Sequence, residues 1–249
     1  CILKGTRTWS GKMLRDIKVT LYDIFGYLLP GAVFLAAIAV LFWAIYIPQT
    51  PLVFVQLTIE TWVLILLLAY FSGHIVQALG NLLIEPFFSI KSLAFSKSRA
   101  DSLPDALVQS AKSKASAMLG VDLKDISPEW LYRICDETVV QCGAIGDREV
   151  YQYREGFYRG LTVSFLMLFL SLVVRTAVPG TSLKLSDTLQ AINGLVLLFF
   201  ILISLAGSLL AFLRYRRFAR YRVIQAIIGF LALQGSKGSK NFQDGKEEA

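Results

Sequence analysis

The sequence predicts an all-α membrane protein with four transmembrane helices and a small helical cytoplasmic insertion between the second and third. Three observations carry this expectation. Residues 27–47, 53–79, 161–178 and 192–213 are long apolar stretches, and each reaches or approaches the ~20 residues that a helix needs to cross a bilayer. Charged residues make up 17% of the chain, against about 25% in an average soluble domain. Nearly all ionisable side chains fall in segments 4–23, 85–159, 175–187 and 214–249, which leaves the apolar stretches almost bare.

The first segment, 1–26, contains Leu14, Ile17, Leu21 and Phe25 at helical spacing with Lys18 and Asp23 between them, the pattern of an amphipathic entry helix lying along the inner membrane surface. The chain opens on Cys1, and Met13, which immediately precedes this run, is the expected natural start. Pro30 and Gly31 interrupt the apolar run that follows. Proline cannot donate its helix hydrogen bond, so a kink or a fresh helix start is expected near Tyr27.

Segment 27–84 holds the first two spans. Its second apolar stretch is too long for one simple crossing, and Glu60 decides where the bilayer begins, because a carboxylate at mid-membrane costs about 3 kcal/mol on insertion scales. Glu60 and Trp62 therefore belong at the outer interface, with 61–80 crossing and 53–59 in the outer headgroup region. Ala69, Gly73 and Gly80 predict close approach of a neighbouring helix, as do Ser204, Gly207, Ser208 and Ala211 on the fourth span.

Segment 85–150 has ordinary soluble composition and reads as the cytoplasmic insertion. Pro104 opens a helix to Leu119 that Gly120 stops, and Ser127, Pro128 and Glu129 form a cap and first turn for a helix through Val140. Trp130, Leu131, Ile134 and Val140 are its expected apolar face. A third helix starts near Asp147 and runs unbroken into segment 151–213, which carries the last two spans. No strand-like alternation competes. An insertion of this size buries little surface alone, so it is expected to dock on the membrane helices or on a second copy.

Arg214, Arg216, Arg217, Arg220 and Arg222 open the last segment, 214–249. A basic run directly behind a span is a topological anchor that attracts anionic lipid, which outweighs a nucleic-acid reading. Loop 48–52 has no Lys or Arg, so the short loops rich in these residues place both termini and the insertion in the cytoplasm. The expected compartment is a bacterial inner membrane. Beyond the arginines, residues 223–233 are too short to cross and suit an interfacial helix or a subunit contact, followed by a disordered tail.

His74, Gln77, Asn81 and Glu85 share one helix face and form the main candidate site, because polar groups in a span must find partners in a bundle or a wet cavity. Such a stripe reads first as an interhelical hydrogen-bond seam worth about 0.6 to 2 kcal/mol per contact, and second as an ion or proton path. Asp23, Arg154, Glu155 and Arg159 sit at the cytoplasmic mouth, where Arg159 or Arg154 is expected to pair with Asp23 or Glu85.

Catalytic signatures are missing. There is no GxSxG, HExxH, phosphate-binding glycine loop or GxGxxG, and His74 is the chain's one histidine, so an intramembrane enzyme is unsupported. Cys135 and Cys142 lie two turns apart, without CxxC spacing, and read as structural thiols rather than zinc ligands. No cofactor or metal is called for.

The stretches Tyr22–Gly31, Gly73–Gly80 and Tyr153–Leu161 resemble segments of uncharacterised prokaryotic multi-pass membrane proteins, which implies a bacterial setting and no transferable activity. The leading functional expectation is a non-enzymatic, self-associating scaffold, sensor or effector subunit, partnered by the lipid bilayer, its own copies and a cytoplasmic protein. The alternative is a channel or small transporter using the stripe around His74.

Overall fold

The computed structural model describes residues 9–46, 58–84, 103–142, 148–177 and 187–233, with side chains for 24–45, 58–84, 103–142, 150–177 and 194–233. The described residues form six helices and no strand: α1 Trp9–Tyr46, α2 Ile59–Ile84, α3 Asp105–Leu119, α4 Pro128–Gln141, α5 Arg148–Ala177 and α6 Asp187–Ala232. Four of them contain segments long and apolar enough to cross a membrane, Ile24–Ile45, Ile59–Ile84, Val150–Ala177 and Gly194–Ala232. No more than 33% of the apolar window of any of these is buried within the protein. The outward Leu, Ile, Val and Phe side chains of α2 and α6 therefore suit contact with lipid, the solvent in which such surface carries no penalty.

The chain divides into two units. The apolar unit comprises α1, α2, α5 from Tyr153 and α6 up to Tyr215; the polar unit comprises α3, α4, the first residues of α5 and α6 from Arg216 onward.

In the apolar unit, α1 runs through Pro30 without the fresh start expected near Tyr27. The interior proline removes one ladder hydrogen bond, and Pro30 is fully buried with its ring against Gly160 of α5, so packing offsets part of that loss. Helix α2 begins where Glu60 requires. The Thr58 side chain accepts from the Thr61 amide at 3.5 Å, the Trp62 amide donates to the Thr58 carbonyl at 3.1 Å, and Glu60 is exposed in the first turn. Residues 53–57 lie outside the described residues.

In the polar unit, α3 ends at Gly120, which adopts the left-handed conformation at φ +69° and donates its amide to the Ser116 carbonyl. That conformation penalises any residue with a Cβ. Ser127 caps α4 by accepting from the Trp130 amide at 3.4 Å, with Pro128 in the first turn. The buried stripe of α4 is Leu131, Cys135 and Val139. The face expected from sequence is thereby corrected: Leu131 is fully buried and Ile134 packs at the edge of the core, but Trp130 is 58% exposed and Val140 38% exposed. Spacing of four, not mixed spacing, keeps three side chains over one another on the helix.

Residues 223–233 close this core. Helix α6, Asp187–Ala232, includes the arginine-rich stretch. Val223, Ile227 and Phe230 are fully buried against Leu103, Ala111, Ala115, Leu131, Cys135 and Val139. Part of the apolar run 223–233 is thus buried within the unit, while Ile228 stays 43% exposed. Lys114 of α3 fixes the end of the helix: its ammonium donates to the Phe230 carbonyl and, at 3.2 Å, to the Leu231 carbonyl, and lies 4.6 Å from the Phe230 ring centroid. A cation on the last carbonyls complements the negative end of the helix dipole, while burial lowers the Lys114 pKa.

Candidate functional site

The polar face of α2 lies where α1, α2 and α5 converge inside the apolar unit. Two backbones touch there. A Cβ added at Gly31 would overlap the Ala69 carbonyl of α2, and one added at Gly73 would overlap the Tyr27 carbonyl of α1. Glycine is required at both positions because the obstacle is main chain, which cannot rotate away. The expectation drawn from Ala69 and Gly73 is thus met by α1 as the neighbour. At Gly80 the space is filled by the aliphatic part of Arg159.

Helix α5 joins this junction through Gly156, Gly160 and Ser164. Pro30 packs on Gly160, with its Cβ 3.2 Å from where a Gly160 side chain would begin, and the buried Ser164 hydroxyl donates to the Pro30 carbonyl at 2.7 Å. These three α5 positions recur every four residues, a GxxxG pair extended by serine. That spacing is legible in the sequence itself at 156–164.

Gln77 bridges α2 to α5 twice. Its Nε2 donates to the Gly156 carbonyl at 2.9 Å, and its Oε1 accepts from Arg159 Nη2 at 3.4 Å. One side-chain amide therefore serves as donor and acceptor to the same neighbouring helix. His74 lies one turn away, exposed, stacked on Tyr27 of α1 with ring centroids 4.0 Å apart and edge-on to Tyr70 at 5.0 Å.

The sequence-predicted stripe is thus divided. His74 and Gln77 belong to the junction, Asn81 is exposed, and Glu85 lies outside the described residues. Of the mouth charges, Glu155 is 2% exposed and Arg154 and Arg159 are half-buried. The expected ion pairs with Asp23 and Glu85 lie outside the described residues, because the side chain of Asp23 is not described either. Arg159 donates from Nη2 to Gln77 Oε1.

Further along α5, Arg175 is 7% exposed and its guanidinium lies 4.0 Å from the Trp43 ring centroid of α1. The sequence placed Arg175 in a watery loop; the structure makes it part of the last turn of α5, with an aromatic face as neighbour. Helix α6 packs on α5 through its small residues. The Ser208 hydroxyl donates to the Thr162 carbonyl at 3.1 Å, and the Phe165 ring lies 3.2 Å from a Cβ built on Gly207.

Chemically, the junction supplies an amide, a guanidinium, an imidazole and serine hydroxyls bound to main-chain carbonyls. Among the described residues no three His, Cys, Asp or Glu side chains come together to hold a metal. The hydroxyls of Ser164 and Ser208 are donated to backbone oxygen.

In the polar unit, the arginines following the fourth span are set among aromatic rings. Arg217 Nε donates to the Tyr221 hydroxyl at 3.2 Å, the Arg217 and Arg220 guanidiniums lie 5.4 and 5.8 Å from the Tyr221 centroid, and Arg222 lies 5.9 Å from the Tyr132 ring. Arg217 is exposed, and Arg216, Arg220 and Arg222 are half-buried. Arg214, also exposed, belongs to the helix just before. Tyr151 packs on Tyr221 at 5.7 Å and on Phe218 at 6.3 Å.

No family model matches the chain, and neither does any curated protein or solved structure.

Proposed function

We propose that the protein is a non-enzymatic, multi-pass subunit of a bacterial inner membrane, a scaffold, sensor or effector with its termini and polar unit in the cytoplasm. It self-associates and meets a protein partner through the polar unit. The observation that carries this reading is Gln77: both ends of its amide are spent on Gly156 and Arg159, which supports a seam that holds helices rather than a path that conducts. Membrane interiors reward such a seam because lipid offers amides no alternative partner.

The arginine-rich stretch of α6 supports the cytoplasmic orientation by the positive-inside rule. Exposed Met118, Leu119, Val121 and Trp130 on the polar unit supply apolar surface for a partner. Crosslinking in native membranes, followed by sizing in detergent, tests the proposal: dimers or larger assemblies with a recovered cytoplasmic protein are expected, and a strict monomer with nothing bound would overturn it.

A second reading, a channel or small transporter, draws on one observation, the exposed imidazole of His74 inside an apolar span. Ionisable groups at that depth commonly mark ion or proton pathways. Proton or ion flux into liposomes that disappears with His74→Ala is its signature.

A further inference from the structure

Helix α2 packs one side within the apolar unit and leaves the other open. Gly73 and Gln77 meet α1 and α5 on the packed side. On the open side Leu67, Phe71, His74, Ala78 and Asn81 are all exposed, at successive spacings of four, three, four and three. That alternation has a period of 3.5 residues, the repeat that keeps one seam of a helix turned towards a parallel neighbour along a left-handed crossing.

The neighbours of this seam, Leu64, Leu68, Ile75 and Leu82, are aliphatic and exposed, as contact with acyl chains requires. His74 is not aliphatic. About 21 Å of helix separates it from Glu60 and about 15 Å from Ile84 at the end of α2, so it lies well inside the span. Tyr27 stacks on the imidazole and Tyr70 meets it edge-on. Both are ring contacts, and among the described residues neither imidazole nitrogen is hydrogen-bonded. Acyl chains offer neither donor nor acceptor at that depth.

A neutral imidazole carries one donor and one acceptor nitrogen, so it is complementary to a second imidazole. Ala78, one turn along the seam, is small enough for another backbone to come close. Copies of one chain enter the membrane in one orientation, so a two-fold axis along the membrane normal sets His74 against His74 and Ala78 against Ala78.

We infer that this seam of α2 is the surface on which two copies of the chain join in parallel, with a hydrogen bond between their His74 imidazoles. The inference rests on the self-association proposed above and deepens it by naming the surface. Asn81 closes the seam three residues before the end of α2, where headgroup water competes for its amide, so the imidazoles carry most of the polar contact.

The test uses the full chain. Benzoylphenylalanine replacing Leu67 or Phe71 in native membranes should crosslink a second copy on irradiation, and the same residue replacing Leu68 or Ile75, off the seam, should not. Dimer dissociation in mild detergent, followed by sedimentation equilibrium, should become about tenfold easier in His74→Leu, the size of one interhelical hydrogen bond. His74→Gln, whose amide also donates and accepts, should stay within about threefold of wild type. Ala78→Leu changes an exposed position, so it leaves the packing of the single chain in place while holding two backbones apart, and it should abolish the dimer. Copies that associate through Leu68 or Ile75 instead, or with His74→Leu unchanged, overturn the seam and leave self-association standing. A strictly monomeric wild type overturns both. Crosslinks from Phe71 to a different protein overturn the second copy as the occupant.

Discussion

At the scale of single residues, Gln77 and Asn81 form a matched pair for testing the seam. They lie four apart on α2, yet Gln77 makes two hydrogen bonds to α5 and Asn81 is exposed. Gln77→Ala is expected to cost about 1 kcal/mol, read as a lower unfolding midpoint in sodium dodecyl sulfate titrations. Asn81→Ala should change the midpoint by less than ~0.5 kcal/mol. Equal effects would argue against a seam centred on Gln77.

Cys135 offers a second residue-level test. Its side chain is fully buried, and burial raises the thiol to a pKa of about 12, with nearby Lys114 pulling it down and Asp136 pushing it up. Because the folded state holds the proton more tightly than the unfolded chain does, this stabilisation is complete below the ordinary thiol range. It is lost as pH rises from there towards about 12. The stability difference between wild type and Cys135→Ala should therefore shrink across that alkaline window. Peptide mapping after iodoacetamide at mildly alkaline pH should find Cys142, which is partly exposed, alkylated well before Cys135.

At the scale of elements, the contact between α1 and α2 depends on absent side chains. Gly31→Ala places a methyl group against the Ala69 carbonyl, whereas Gly26→Ala on the same helix meets nothing within 4 Å. The first is expected to cost about 2 to 3 kcal/mol, the upper part of the range for overpacking, and the second less than ~0.5 kcal/mol. Paired cysteine crosslinking between the two helices should slow only in Gly31→Ala; comparable behaviour in both variants would refute backbone contact at Gly31.

The helices themselves were largely legible from sequence, and for local reasons. Gly120 can end α3 because only glycine takes the left-handed turn cheaply, Ser127 and Pro128 can only open a helix, and Glu60 marks a boundary because lipid excludes carboxylate. What one helix touches was less legible. Spacing identified Ala69 and Gly73 as a small-residue face without naming α1 as its occupant, and the apolar run 223–233 gave no hint that Leu131 and Cys135 would cover it. Long-range partners depend on shape across segments far apart in the chain, which periodicity within one segment does not encode. The GxxxG spacing at Gly156 and Gly160 was available and fell on the side of local legibility.

At the scale of the whole molecule, the described residues of the polar unit come from two separated stretches of chain. Its core requires Val223, Ile227 and Phe230 from the far end of α6 as well as Leu131, Cys135 and Val139 from α4. Ending the chain after Arg222 removes the fully buried Val223, Ala226, Ile227 and Phe230, and loss of one buried phenylalanine alone costs about 3 to 5 kcal/mol. The truncated protein is expected to remain integral to the membrane while trypsin cuts readily at Lys112 and Arg133, within α3 and α4. Unchanged protection of these sites would show that α3 and α4 hold together by themselves.

The late return of α6 to that core also sets how the polar unit can be handled in isolation. No single pair of cut sites releases it, because any continuous fragment containing α3, α4 and the closing residues also carries the greasy helices that separate them. A water-soluble version calls for a graft, with the 216–233 segment spliced behind α4 through a designed linker. An excised 103–142 peptide, by contrast, would present a bare hydrophobic cleft and clump.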